Sequence, residues 1–454
     1  MRAQSAFSLK LLALTVGLWA TSLSSHAQGL LEVYQAARLT DPTYQASIAA
    51  ARATGENKAQ AIGALLPQVS ASAYAQNRDS ESTSATGFNP AGEFDLHGYS
   101  IKLTQTILRF DQFAALSIGN LQAQQAQLDG VLAEQELVNR AAEVYFAFLA
   151  AKSDLLTAQA ERESISSQLE QAQKRFEVGL IAITDVNEAQ ASYDLADAQL
   201  ILAEQDMENA KDVLREIVGR HIDDLPDLRS NLPLQKPVED DQAWVQRAMN
   251  SNPQLARLRL QAEIAKKQVS AQRAGHLPAL NAQAEYNFSD TTDIPTSGSE
   301  TTDTILSLQL SLPIFSGGAT RSRVRQANFQ KLQAEQQLEQ TRRSVERETR
   351  SAHRGMTTAI RRVQALRQAL QSSESALEAT QAGYDVGTRT SVDVLNARSG
   401  LFRAQRDYAK SRYDYALSLI RLHRAEGSLS PKHLLLLDSW LESSLQDTAD
   451  KVSQ

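Results

Sequence analysis

Phe176-Glu177-Val178-Gly179 runs on to Asp185-Val186, and 208 residues later Tyr384-Asp385-Val386-Gly387 runs on to Asp393-Val394 at the same interval. The echo continues at that offset through Ala189 and Ala397, Ala196 and Ala404, Asp206 and Asp414, Leu214 and Leu422, and Gly219 and Gly427. Upstream, at offset 211, Asp41-Pro42 answers Asn252-Pro253 and Leu66-Pro67 answers Leu277-Pro278. One half of the chain is a copy of the other, which predicts two similar units in an elongated, pseudo-symmetric architecture rather than a catalytic domain.

The first residues read as an export signal. Arg2 and Lys10 precede or flank a short apolar core from Leu11 to Ala20, and Ser25-His26-Ala27 is a small-x-small cleavage site, so 1–27 is expected to be removed. The new N-terminus, Gln28, is not a cysteine, so no lipid attachment is expected there. Cleavage removes two basic residues and no acid, taking the net charge from −7 to −9, which argues against nucleic acid as a partner. The absence of cysteine excludes disulfides and thiolate metal sites. Seven scattered histidines, none in a zinc-binding pair, and the lack of a Gly-x-Ser-x-Gly elbow or phosphate loop argue against an enzyme; no metal or cofactor is expected. After residue 27 no apolar run reaches the roughly 18 residues of a membrane helix.

Each copy predicts helix, strand pair, long helix, helix. Leu30 to Leu65 is helical with an interruption at Asp41-Pro42, and 112–177 contains no proline. Val138, Ala142, Tyr145 and Leu149 are spaced 4-3-4, as are Ile165, Leu169, Ala172 and Phe176, and in 318–382 Leu366, Leu370, Ser373 and Leu377. That is coiled-coil spacing, and a helix of about 65 residues is roughly 100 Å long, so it builds a rod or the wall of a tube. The boundaries are 28–220 for the first repeat, with strands at about 66–77 and 96–108; 221–237 for a linker; and 238–428 for the second repeat, with strands at about 278–289 and 303–315. The 429–454 segment closes the chain, its polar tail expected to be disordered; Asp223-Asp224 read as solvated turn residues.

The strands decide the compartment. Leu280, Ala282, Ala284, Tyr286 and Phe288 alternate with Asn281, Gln283, Glu285 and Asn287; Leu306, Leu308 and Leu310 alternate with Ser307 and Gln309; Tyr99, Ile101 and Leu103 with Ser100 and Lys102. About ten residues, one face apolar and one polar, is the signature of a transmembrane β-barrel; a soluble sheet against helices is the alternative. Four strands cannot close a barrel, and an open edge is not tolerated in lipid. A membrane sheet of this size must be completed by other copies: two give eight strands and a filled interior, three give twelve and room for a pore.

Arg175 to Val186 and Gly383 to Leu395 resemble the periplasmic tips of the TolC family of outer-membrane export ducts, and Ser311-Leu312-Pro313-Ile314-Phe315-Ser316-Gly317-Gly318 resembles that family's strand-to-helix junction. The resemblance runs to about residue 440. It implies a mainly α fold with a β membrane part: a homotrimer with a twelve-stranded barrel in the outer membrane of a Gram-negative bacterium, continued by a periplasmic α-helical coiled-coil barrel. It implies an exit duct for type I protein secretion, tripartite multidrug efflux, or both. The partners it implies are outer-membrane lipid, a periplasmic adaptor (membrane fusion) protein and an inner-membrane transporter of ABC or RND type. The rival is a non-channel periplasmic coiled-coil adaptor or structural rod.

Glycines 179 and 387 end the long helices and allow sharp turns, and Thr184-Asp185 and Thr390 to Asp393 read as caps of the returning helices. By the resemblance, Val178, Gly179, Leu180, Val386, Gly387 and Thr388 are the adaptor-contact tips. Asp393 would form a carboxylate ring at the periplasmic constriction. Where the family has a second aspartate this chain has Asn396, one helical turn on, which implies a weaker acidic field. Arg389 would link to Asp185 and Thr184 of a neighbouring coil, with Tyr384 as a further link, and Gln168 would face Gln381, closing the gate.

Overall fold

The computed structural model describes residues 29–80, 92–292 and 299–442. The expected signal at 1–27 and the tail beyond 442 lie outside these residues, as do 81–91 and 293–298 of the expected loops. Three helices open the chain, α1 (Leu30–Thr40), α2 (Pro42–Gly55) and α3 (Asn57–Gly63), and lead into strands β1 (Gln68–Ser80) and β2 (Gly92–Leu108). Helix α4 (Phe110–Glu177) is continuous over 68 residues, and α5 (Ile183–Val218) returns along it. The pattern repeats with α6 (Asp241–Ser251), α7 (Pro253–Arg273), β3 (Ala279–Thr292), β4 (Ser299–Ser311), α8 (Ala319–Asp385) and α9 (Ser391–Glu426). A short helix, α10 (Pro431–Asp438), was not anticipated; Pro431 at its first turn and the Ser430–His433 capping box start it.

The duplication is visible in hydrogen bonds. Asp41 accepts from the Thr43 and Tyr44 amides (3.1 and 3.3 Å) to cap α2, and Asn252 accepts from Gln254 and Leu255 (2.9 and 3.2 Å) to cap α7. Each is followed by proline, whose missing N–H costs nothing at a helix start. Both side chains are buried, so their remaining polar atoms need partners. Arg140 meets Asp41 at 2.9 Å, and the Asn252 amide donates to the Ala425 carbonyl at 3.0 Å.

The strands form one antiparallel sheet in the order β1-β2-β3-β4. Its register places Val69 opposite Leu103, Ile101 opposite Tyr286, Tyr99 opposite Phe288, Ala284 opposite Leu306 and Leu280 opposite Leu310. Opposed residues share a face, so the alternation read along each strand becomes an apolar band next to the helices, giving way further out to Thr302, Thr304, His97 and Asp290, and backed by a polar face. Leu306, Leu308 and Leu310 are 80, 68 and 67% exposed. The Tyr99 and Phe288 rings stack at 5.2 Å toward the far end, and Ile314 and Phe315 stand exposed at the helix end. The last strand stops at Ser311 rather than about 315, because Pro313 brings no N–H to the ladder. At the other end β2, β3 and β4 pair further than expected, β2 starting at Gly92 and β4 at Ser299.

The core is a belt around the middle of the long helices, about 40 Å from the sheet at 1.5 Å per residue. Leu30, Val33 and Tyr34 of α1, Leu137 to Leu149 of α4, Leu214 and Ile217 of α5 and Tyr415 to Leu422 of α9 meet there. The linker is strapped into it. Tyr145 donates to the Pro226 carbonyl (2.7 Å), Tyr415 to Pro233 (3.0 Å), and Tyr413 to Asp227 (2.9 Å), while Leu228 bridges to Leu441 of the C-terminal segment. Burial, then Asp227, pushes the Tyr413 hydroxyl pKa far up, so it stays a neutral donor. Asp223 and Asp224 are exposed; Asp224 pairs with Lys152 and Asp223 with His221.

Candidate functional site: the helical tips

At the end opposite the sheet, two hairpin turns close α4 onto α5 and α8 onto α9. Leu180 N–H donates to the Arg175 carbonyl (2.9 Å), and Thr388 N–H to the Gly383 carbonyl (2.8 Å). Each bond spans five residues over a glycine at positive φ, +74° at Gly179 and +79° at Gly387. These are Schellman turns, which use up carbonyls the helix end leaves unpaired. They point the side chains flanking each glycine outward: Val178, Leu180 and Val386 are 70, 73 and 76% exposed, and Thr388 is exposed beside them. Apolar side chains held in water on a rigid turn are a ready contact surface.

The returning helices start differently. Thr390 Oγ1 accepts from the Asp393 amide (3.2 Å) while Asp393 accepts from the Thr390 amide (3.0 Å), a complete capping box. Those hydrogen bonds, with the nearby Arg389 charge, hold the Asp393 carboxyl below its usual range. In the first copy the equivalent N-cap is Ala182, which has no side chain to offer, so Thr184 and Asp185 lie inside the first turn rather than capping it. Asp185 instead accepts from Ser391 Oγ at 3.5 Å, joining the two hairpins.

The other expected gate residues are dispersed within one chain. Tyr384 lies under the Arg175 guanidinium, 5.0 Å from its ring centroid, a contact between α8 and α4. Gln381 donates to Asp385 (3.3 Å) along its own helix, and Gln168 is buried in α4, so the two are not paired in one chain. The Arg389 stem lies over Gly383, where an added Cβ would come 2.7 Å from Cγ, and no described hydrogen bond or ion pair within the chain engages its guanidinium. Thr184 and Asn396 are exposed.

Sequence reading missed the struts between hairpins. Arg398 of α9 donates to Ser164 of α4 at both its carbonyl (2.9 Å) and its hydroxyl (2.6 Å), and Arg406 approaches the buried Glu161 at 3.5 Å. Arg175 stands one residue before the repeated tip motif, which was the only signal for it. His423 and His433, ten residues apart, stack with ring centroids 3.9 Å apart where α9 meets α10. Both lose basicity through burial, His423 to about 4.

A long helical body with turned tips at one end and an outward-apolar antiparallel sheet at the other defines a β-anchored, helix-built outer-membrane protein. The chain belongs to the outer membrane efflux protein family, which matches residues 33–220 and 244–428, one stretch in each repeat. It is 35% identical over 440 residues to outer membrane protein TolC of Vibrio cholerae, covering 95% of this chain and 99% of that one. It is 28% identical to the alkaline protease secretion protein AprF of Pseudomonas aeruginosa, covering 90% and 87%. The fold is that of the Campylobacter jejuni CmeC outer membrane channel, with a TM-score of 0.75 over 98% of both chains at 17% identity.

Proposed function

We propose that three copies of this chain form an outer-membrane exit duct, β1 of one copy pairing with β4 of the next to close twelve strands, with α-hairpins continuing the wall into the periplasm. The observation that carries this is the sheet: apolar on one face, exposed, and open at both β1 and β4. A thirteen-residue strand edge left unpaired in lipid costs on the order of tens of kcal/mol, since each orphaned backbone group costs several. Neighbouring copies remove that cost. The similarity to TolC and to a protease secretion protein supports export of proteins, drugs or both, with a periplasmic adaptor and an inner-membrane ABC or RND-type transporter as partners. A leader cleaved after Ala27 fits this route.

Within this reading the Val178-Gly179-Leu180 and Val386-Gly387-Thr388 turns are the adaptor contacts, Asp393 forms the constriction ring and Asn396 a neutral second ring. Arg389, whose guanidinium no described hydrogen bond or ion pair engages in its own chain, reaches Asp185 and Thr184 of the neighbouring copy. A periplasmic adaptor or rod would have no use for a sheet whose exposed face is apolar over its full width. The test is reconstitution into planar bilayers. Discrete conductance steps from a trimer support the duct; a non-conducting detergent-soluble monomer ends it.

A further inference from the structure

A groove of about 880 Å³ runs between α8 and α9 where α7 begins. Its α8 wall presents Ala352, Gly355 and Ala359 at helical spacing, and nothing lies within 4 Å of a Cβ added at Gly355, so small residues hold it open. Its charged lining is Arg354, Arg362, Arg421 and Arg424 against Glu348 and Asp414. Part of that charge is already matched. Arg362 meets Asp414 at 3.3 Å and Arg424 meets Glu136 at 2.6 Å, while Glu348 accepts from Ser344 at 2.6 Å and lies 3.6 Å from Arg347. No described hydrogen bond, ion pair or ring contact engages Arg354 on the α8 wall or Arg421 on the α9 wall.

The first repeat builds the same hairpin without this charge. Phe146, Asp154, Val213 and Glu216 stand 208 residues before Arg354, Arg362, Arg421 and Arg424, at the positions the duplication makes equivalent, and none of them is basic. Asp414, by contrast, keeps its acidic twin in Asp206. The long and returning helices of the two copies match in length to within a residue, so the arginines are not what the hairpin needs to form. Two guanidinium groups left unmatched across an open groove repel each other, and an anion between them removes that cost. The planar fork of each suits a phosphate or carboxylate bound through two parallel hydrogen bonds.

The groove opens away from the belt. α6 and the linker cover the other side of this hairpin: His353 of α8 meets the Glu239 carbonyl at 3.2 Å, and Tyr415 of α9 donates to Pro233 at 3.0 Å. At 3.6 residues per turn Gly355 lies about 160° round α8 from His353, and Arg421 about 120° round α9 from Tyr415. In a ring the belt must lie outside, because its bulk would fill the bore, and the groove then faces the bore. We propose that this groove binds a compact polyanion, one bearing two or more phosphate-like oxyanion groups, held between Arg421 and Arg354 with the Ser351 and Thr358 hydroxyls as neutral donors. Its place in the bore rests on the duct reading above, whereas the binding itself needs only one chain.

Calorimetric titration of the detergent-solubilised full-length protein with tripolyphosphate should show saturable binding at one site per chain. Arg421→Gln and Arg354→Gln should each weaken it about tenfold or more, the effect of losing hydrogen bonds to a charged group. Gly355→Glu places a carboxylate in the open groove at a residue without positive φ, and should abolish binding with no loss of thermal stability. Arg361→Gln, an exposed α8 arginine outside the groove, should leave the affinity within about twofold, since salt screens it from the site. In planar bilayers tripolyphosphate should reduce the current through the wild type and not through Gly355→Glu. Absence of saturable binding, or equal weakening by Arg361→Gln and Arg421→Gln, overturns the site and leaves the duct standing. Binding with no effect on the current overturns its place in the bore. Binding by a monomer that never conducts ends the duct and leaves the groove.

Discussion

The Arg398 guanidinium of α9 donates to Ser164 of α4 twice, to the carbonyl at 2.9 Å and the hydroxyl at 2.6 Å, with no carboxylate among its partners. A half-buried cation bound only by neutral oxygens is held in place by geometry rather than by charge, and burial lowers its pKa. It is a strut between the two hairpins, between the tips and the belt. Arg398→Ala should destabilise the contact by about 1.5–3 kcal/mol, the usual worth of hydrogen bonds to a charged group. Ser164→Ala should cost less, because the carbonyl remains. Thermal unfolding of the detergent-solubilised trimer ranks the two.

If Asp393 lines the proposed constriction ring, its capping role and its charge are separable. Asp393→Asn removes the ring charge while keeping an acceptor for the cap, so cation preference, read as the reversal potential under a salt gradient, should fall with stability little changed. Thr390→Ala should leave selectivity alone and cost about 0.5–2 kcal/mol of helix stability. Because the folded carboxyl is held below its ordinary pKa, its stabilisation is present above that ordinary value and disappears as pH falls through the folded one. Cation preference should therefore persist below the ordinary aspartate range and vanish only as pH falls through the lowered folded value.

Arg389→Ser with Tyr384→Phe should enlarge single-channel conductance. On the proposed gate, serine would remove the link from Arg389 to the neighbouring copy, while the phenyl ring would still lie under Arg175. Each exposed link is worth about 0–1 kcal/mol, so the effect comes from several per trimer. Unchanged conductance in intact trimers would remove both residues from the gate.

Gly179→Val with Gly387→Val tests the turns. Nothing lies within 4 Å of an added Cβ at either site, so the penalty is purely backbone, about 1–2 kcal/mol per residue. Trimer formation should survive, while affinity for a purified adaptor should drop.

The stacked histidines predict an acid response at the belt. His423 faces His433, Glu426, Arg247 and Trp244, and its neutral form is favoured by burial and by the second ring. A histidine with a depressed folded pKa stabilises the fold above about pH 6.5 and loses that contribution as pH falls toward about 4. The unfolding temperature should decline across that window, and His433→Gln should flatten the decline.

Much of this was legible in one dimension because the signals are periodic. Alternation in β3 and β4 specifies a face, and a one-residue slip would turn Leu306, Leu308 and Leu310 to the polar side, but which residues oppose one another came only with the paired sheet. The tip turns were legible from glycines that need positive φ. The cap at Thr390 was readable from its residue type, whereas the expected cap at Thr184-Asp185 was not there, because the duplicated cap position holds Ala182. That lost cap leaves Asp185 free for Ser391, a contact no spacing rule contains.

By itself the sequence determined the duplication, the long helices, the two-faced strands and the sharp tips, all consequences of local periodicity and backbone freedom. Only the tertiary structure decided that Arg398 reaches Ser164, that the linker and the C-terminal segment strap one belt, and that α4 packs against α9 to join the two hairpins. Those depend on which helix lies beside which, and lateral order among long helices is set by packing between residues hundreds of positions apart.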